Sequence, residues 1–184
     1  MLLVTRGIAG ALALTLAAGA ASAQVGLTSS PATVSLTATK ASTLSVLPLI
    51  NTATLASITD SSSANVFSPV TLTTAWNLKA GSSVNLVGWF ATPTQALANG
   101  SDFIPSSQVE GRVGATAYAP FSNGATGGVG VANGSLVLFS QAVGAGTFKS
   151  SRSDQLDVRL NLAPSTSTIA GDYTGTLNLE AVVQ

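Results

Sequence analysis

The chain has 184 residues, with seven basic and seven acidic side chains, no histidine, no cysteine and 46% apolar residues. The missing His and Cys exclude Ser-His-Asp and Cys-His nucleophiles, imidazole or thiolate zinc sites and thiol-attached haem. Charged residues make up 8% of the chain, against about 25% in an average soluble domain, and no cluster of Lys and Arg is present to neutralise phosphates, so nucleic acid is not an expected partner. The surface must then be built from Thr, Ser, Asn and Gly, and stability must come from burial without disulfides.

Residues 1–23 carry Arg6, an apolar run from Ile8 through Ala18, and Ala21-Ser22-Ala23 before Gln24. A positive start, a short apolar stretch and an A-x-A site predict a secretory signal peptide. The stretch is shorter than the roughly 20 residues of a membrane span, so no span is expected in the mature chain. Export to the periplasm, the cell surface or the medium follows. Residues 24–184 then form one expected domain, with six basic against seven acidic side chains once Arg6 is lost.

Beyond that point the pattern is one of strands and turns. Residues 33–39 alternate through Val34, Leu36 and Ala38, and residues 43–49 through Leu44 and Val46 until Pro48, which suits an edge strand. After the Ser/Asn-rich stretch 60–65, the run 69–78 places Val70, Leu72, Trp76 and Leu78 on one face. A turn at Lys79-Ala80-Gly81-Ser82 leads into 83–91, with Val84, Leu86, Gly88 and Phe90 on one face and Asn85, Val87 and Trp89 on the other. The short separation predicts that these two strands form an antiparallel hairpin.

Residues 92–108 read as a long connection marked by Pro93, Asn99-Gly100 and Pro105, too broken for a helix. Short strands are expected at 109–113 and 115–121, a glycine-rich flexible loop at 122–130, and a strand at 135–141. In 155–162, Leu156, Val158, Leu160 and Leu162 face inward while Asp157, Arg159 and Asn161 face out. The segment 171–184 reads as one final strand, with Tyr173, Leu177, Leu179, Ala181 and Val183 sharing a parity and Gly171 opening it. The chain is thus expected to stop on a core strand that needs a partner. Eight or more short strands of this kind predict an all-β antiparallel sandwich.

Candidate chemistry is sparse. The glycine loop departs from G-x-G-x-x-G at Asn133 and lacks Gly-Lys-Ser/Thr, so it is no phosphate cradle. Of the seven carboxylates, Asp157 has Arg159 as a same-face neighbour, and Asp60, Asp102, Asp154 and Asp172 fall at expected turns, where Asp bonds its own backbone. No opposed pair suggests a glycosidase, and no D-x-D-x-D-G spacing suggests a calcium site. No enzyme activity, cofactor or metal is therefore expected. Trp76 shares a face with Leu72 and Leu78 and reads as core, whereas Trp89 lies on the other face and is the candidate surface-contact aromatic.

The stretch Ala170-Gly171-Asp172-Tyr173-Thr174-Gly175-Thr176-Leu177, followed by alternation up to Val183, resembles the ending of chaperone–usher pilins and of the related spore coat protein U type domains. The run 156–169 and the Thr-rich stretch 32–46 resemble those families as well. Val183 stands where such pilins usually carry Tyr, the cysteine pair common in them is absent, and residues 69–148 match no pattern of theirs. The resemblance implies an immunoglobulin-like sandwich completed by strand donation from another subunit. It also implies copies of the chain or related subunits as partners, with a periplasmic chaperone and an outer-membrane usher. Under that reading Gly171, Tyr173, Leu177, Leu179, Ala181 and Val183 form the assembly strand, and Val34, Leu36 and Ala38, in an N-terminal arm at about 24–38, are the candidate donor. The alternative is a self-contained secreted module that binds a glycan or surface polymer through loops 92–108 and 122–133.

Overall fold

The computed structural model describes residues 35–60, 62, 65–164 and 168–184. The expected signal peptide at 1–23 and Val34 of the candidate arm lie outside the described residues. The chain divides into two units, Met1–Thr39 and Lys40–Gln184. In the first, residues 35–39 are exposed and form no strand, so the alternation at 33–39 does not yield one over its described part. Among the described residues, no helix is long and apolar enough to cross a membrane.

The second unit is all-β. Its strands are β1 (Thr43–Pro48), β2 (Asn65–Val66), β3 (Val70–Asn77), β4 (Ser83–Trp89), β5 (Leu97–Asn99), β6 (Asp102–Ile104), β7 (Val109–Val113), β8 (Ala119–Pro120), β9 (Ser135–Ala142), β10 (Lys149–Leu160) and β11 (Asn178–Val183). Two antiparallel sheets enclose the core. The larger runs β1-β3-β10-β7-β8 with β2 beside β10, the smaller runs β11-β4-β9, and β5 with β6 makes a separate ribbon. Leu72, Val109, Leu156 and Leu160 from one sheet meet Leu86, Leu136 and Leu138 from the other in a single cluster. Phe121 fills its centre, fully buried, with its ring edge-to-face on Phe90 at 5.3 Å.

Several expected strands are where the alternation puts them, and Trp76 is buried as expected, with its indole Nε1–H donating to the Thr147 carbonyl at 2.9 Å. The expected β3–β4 hairpin does not form. β3 pairs with β1 and β10, while β4 pairs with β11 and β9, so the turn at 79–82 carries the chain across from one sheet to the other. Gly81, at φ 93°, donates its N–H to Val143 O at 2.8 Å, which ties the turn to the end of β9. The apolar faces of the two strands meet through the core instead of lying side by side. Alternation identifies the apolar face but not whether its neighbour lies beside the strand or opposite it.

The final segment is also shorter as a strand than its pattern suggests. Only Asn178–Val183 is β11, because ahead of Gly175 the chain pairs with the small ribbon: Thr174 and Ala98 exchange both backbone bonds at 2.8 and 3.0 Å. A Cβ at Gly175 would overlap the Ala96 carbonyl oxygen, so only glycine permits this approach. The connection 92–108 is more ordered than expected. It holds 3-10 turns at Pro93–Gln95 and Ser106–Gln108 around the β5–β6 hairpin, whose tight loop uses Gly100 at φ 61°. The expected strand at 115–121 shrinks to β8, and the expected flexible loop at 122–130 is pinned by paired bonds between Asn123 and Ser135 and between Thr126 and Val129.

Candidate functional site

The two sheets leave an apolar groove between the edge strands β1 and β11. The Leu49 N–H bonds Thr71 O at 2.8 Å, which sets the alternation of β1 so that Leu44 and Val46 direct their backbone groups away from β3. Pro48 follows in the same phase and has no N–H to offer. On β11, Gln184 and Ser83 exchange both backbone bonds, at 2.7 and 2.9 Å. Asn178, Glu180 and Val182 therefore face β4, and Leu179, Ala181 and Val183 direct their N–H and C=O groups to the free side. Among the described residues no strand pairs with either edge.

The space between these edges measures about 440 Å³ and is walled by Val46, Pro48, Leu177 and Leu179, with the core residues Val109 and Leu156 forming its floor. Among the described residues, no charged side chain lines it. A second cavity of about 590 Å³ shares Ala53, Phe67, Leu97 and Gly175 with the first, and extends the opening past Leu55, Ile58, Ile169 and Tyr173. The sandwich thus exposes its own interior along one flank. The opening lies between Val46 and Pro48 on one side and Leu177 and Leu179 on the other; toward Leu44 and Ala181, which pack on one cluster, β1 and β11 come into contact and close it. An extended chain laid in the open part would find outward-facing backbone groups of Val46 and Leu179 and apolar pockets beneath.

Of the expected assembly residues, Tyr173, Leu177 and Leu179 pack on the main core, and Ala181 packs on the smaller cluster formed with Trp76, Leu78, Val84 and Val143. Val183 departs from this row in burial and remains 38% exposed at the end of the strand. The Tyr173 hydroxyl donates to Ile169 O at 3.1 Å, and Gly171 lies against Asn99. In the candidate arm, Leu36 is 92% exposed and Ala38 is exposed. Trp89 is half-buried, and its carbonyl accepts the Asn178 side-chain amide at 3.3 Å. The two long loops are tied to one another by the Ser106 hydroxyl donating to Asn133 O at 2.9 Å.

The carboxylates are organised across strands. Antiparallel register sets Asp157 opposite Arg112 and Arg159 opposite Glu110. The expected Asp157–Arg159 pairing is replaced by Arg112–Asp157 at 3.0 Å and Arg159–Glu110 at 2.6 Å, because directly opposed side chains lie closer than neighbours along one strand. Tyr118 stacks with both guanidinium groups, at 4.3 and 4.2 Å from its ring centre. Asp154 is not in a turn. It belongs to β10, on the face of Leu156 and Leu160, where Arg152 holds it through two bonds of 2.6 and 2.7 Å. Extending the even-numbered parity of Leu156 back through the strand would have placed Arg152 and Asp154 on the core face. Asp102 opens β6 directly after the hairpin loop.

Comparison with protein-family models, with curated proteins and with solved structures finds no match for this chain. The fold and the site define an antiparallel two-sheet protein whose core is open along one flank, between two strand edges that lack partners among the described residues.

Proposed function

We propose that this chain is an exported structural subunit, pilin-like or coat-like, that assembles by taking an extended strand into the groove between β1 and β11. The observation that carries the reading is the groove itself: two strand edges that are unpaired among the described residues flank an uncharged opening floored by core residues. Strand addition supplies backbone bonds along Val46, Pro48 and Leu179, where the groove is open, and the alternate side chains of the guest fill the pockets. The occupant under this reading is the N-terminal arm of a second copy, where Val34, Leu36 and Ala38 provide the required period of two. The resemblance of both chain ends to pilins and coat protein U type domains supports the same role, with an immunoglobulin-like sandwich held by a periplasmic chaperone before an usher assembles it. The role needs no bond chemistry and no cofactor.

The test is the size of the native protein sheared from cells, separated by gel electrophoresis without boiling. A ladder of multiples that collapses to one band on heating is the expected result. A single band whether boiled or not would overturn the reading, and would direct attention to a self-contained module binding through Trp89 and the two long loops.

A further inference from the structure

The opposite flank of the sandwich has unpaired edges too, but it is closed in a different way. β10 pairs with β3 from Lys149 onward yet meets β7 only from Leu156, the last bond on that side being Gly114 N–H to Gln155 O at 3.0 Å. Because Phe148 O accepts from the Leu78 N–H, the even-numbered residues of this stretch face β3, and Lys149, Ser151 and Ser153 direct their backbone groups outward. On β9, the bond from Phe90 N–H to Gly134 O and the bulge beyond Val87 leave Val137, Ser140 and Ala142 outward. Among the described residues no strand pairs with either stretch. β9 and β10 lie in different sheets and follow each other through residues 143–148, so these two edges border one flank.

Arg152 and Asp154 stand between them. Both point to the core side, since their cross-strand partners Thr74 and Leu72 are fully buried. The Arg152 guanidinium reaches across the inter-sheet space to lie 4.0 Å from the centre of the Phe139 ring on β9, while Asp154 holds it in a two-bond fork. An apolar side chain entering here would have to displace Arg152 from Phe139 and cover an ion pair that retains water, the Arg152 side chain being 30% exposed. That desolvation opposes entry. Inward-pointing charge is also a recognised means of protecting a sheet edge from added strands.

We propose that the Arg152–Asp154 pair is the residue set that makes assembly one-sided, closing the β9–β10 flank so that a guest strand is accepted only between β1 and β11. The proposal rests on the strand-addition reading for its purpose, and its test separates the two. The purified chain and its Arg152→Val/Asp154→Val variant are titrated with a synthetic peptide of residues 24–39 and weighed intact by native mass spectrometry, with light scattering reporting self-association. The wild type is expected to bind one peptide per chain and the variant two. Adding Ser140→Pro, which removes an outward-facing N–H and no ladder bond, is expected to return the variant to one. The charge-swapped Arg152→Asp/Asp154→Arg chain is expected to behave as wild type. A folded Val/Val variant that binds one peptide and does not self-associate overturns the gate while leaving strand addition standing. Self-association of the variant that Ser140→Pro abolishes, in a protein whose wild type takes up no peptide, supports the closure of the β9–β10 flank by this pair and sinks strand addition between β1 and β11. If the Val/Val chain does not fold, Arg152→Met, which keeps Phe139 covered but loses the ion pair, goes through the same assay with the same two outcomes.

Discussion

Replacing Gly111 by Ala should destabilise the fold through one ring. Phe121 is wedged between Gly111 of β7 and Gly88 of β4; a Cβ at Gly111 would lie 2.8 Å from Cζ and 2.9 Å from Cε2 of that ring, and one at Gly88 would lie 2.9 Å from Cε1. Carbon atoms prefer separations of about 3.5–4.0 Å, so the new methyl must push the ring by roughly 0.7 Å or more against Phe90, which holds it edge-on. Overpacking of this kind costs about 1–3 kcal/mol. The relief of glycine's chain entropy in a strand offsets about 0.5–1 kcal/mol of that. Removing the ring as Phe121→Ala should cost about 3–5 kcal/mol, the penalty for emptying a fully buried aromatic site. In the combined variant the ring is gone and the methyl added by Gly111→Ala occupies vacated space, so the two losses should fall short of additivity by about 1–2 kcal/mol. Urea unfolding of all four chains, followed by the fluorescence of Trp76 and Trp89, measures each value. Additivity within about 0.5 kcal/mol would mean that Phe121 does not sit against Gly111.

Two further substitutions probe the groove and the charge network. Leu179→Asp puts a carboxylate beside Val46 and Leu177 in an uncharged wall, and should abolish assembled material or its accumulation in an immunoblot of sheared surface protein; normal ladders would contradict the groove reading. Arg159→Leu leaves Glu110, which is 8% exposed, with Asn161 as its remaining side-chain partner. It should cost about 1–3 kcal/mol in thermal or urea unfolding, much of it recovered by adding Glu110→Gln, since the penalty is that of a buried acceptor left short.

The periodicity of the chain carried much of this outcome. Alternation at 70–77, 83–89 and 155–160 placed the inward residues on the correct faces, and Pro48 marked an edge strand. The β5–β6 hairpin was also legible in Gly100-Ser101, the two loop residues left by the Asn99–Asp102 pair, since Gly at the first loop position is a hairpin signal, although the stretch around it reads as a connection. Arg152 and Asp154 escaped because a charged pair contradicts the expectation of an apolar core face. Only its fork geometry and the Phe139 ring opposite make the placement tolerable.

Composition and local pattern by themselves determined the all-β class, the absence of His and Cys chemistry, and the identity of the apolar faces, because these depend on side-chain inventory and on a backbone period of two. Which strands become neighbours was decided by tertiary structure alone. β3 and β4 could satisfy their backbone bonds with each other or with four other strands, and their apolar faces fit either arrangement, so the choice rests on the packing of the whole core. The same holds for the groove. It exists only because β1 and β11, unpaired on their outer sides among the described residues, end up in different sheets on one flank, a relation between residues 43–48 and 178–183 that no local stretch encodes.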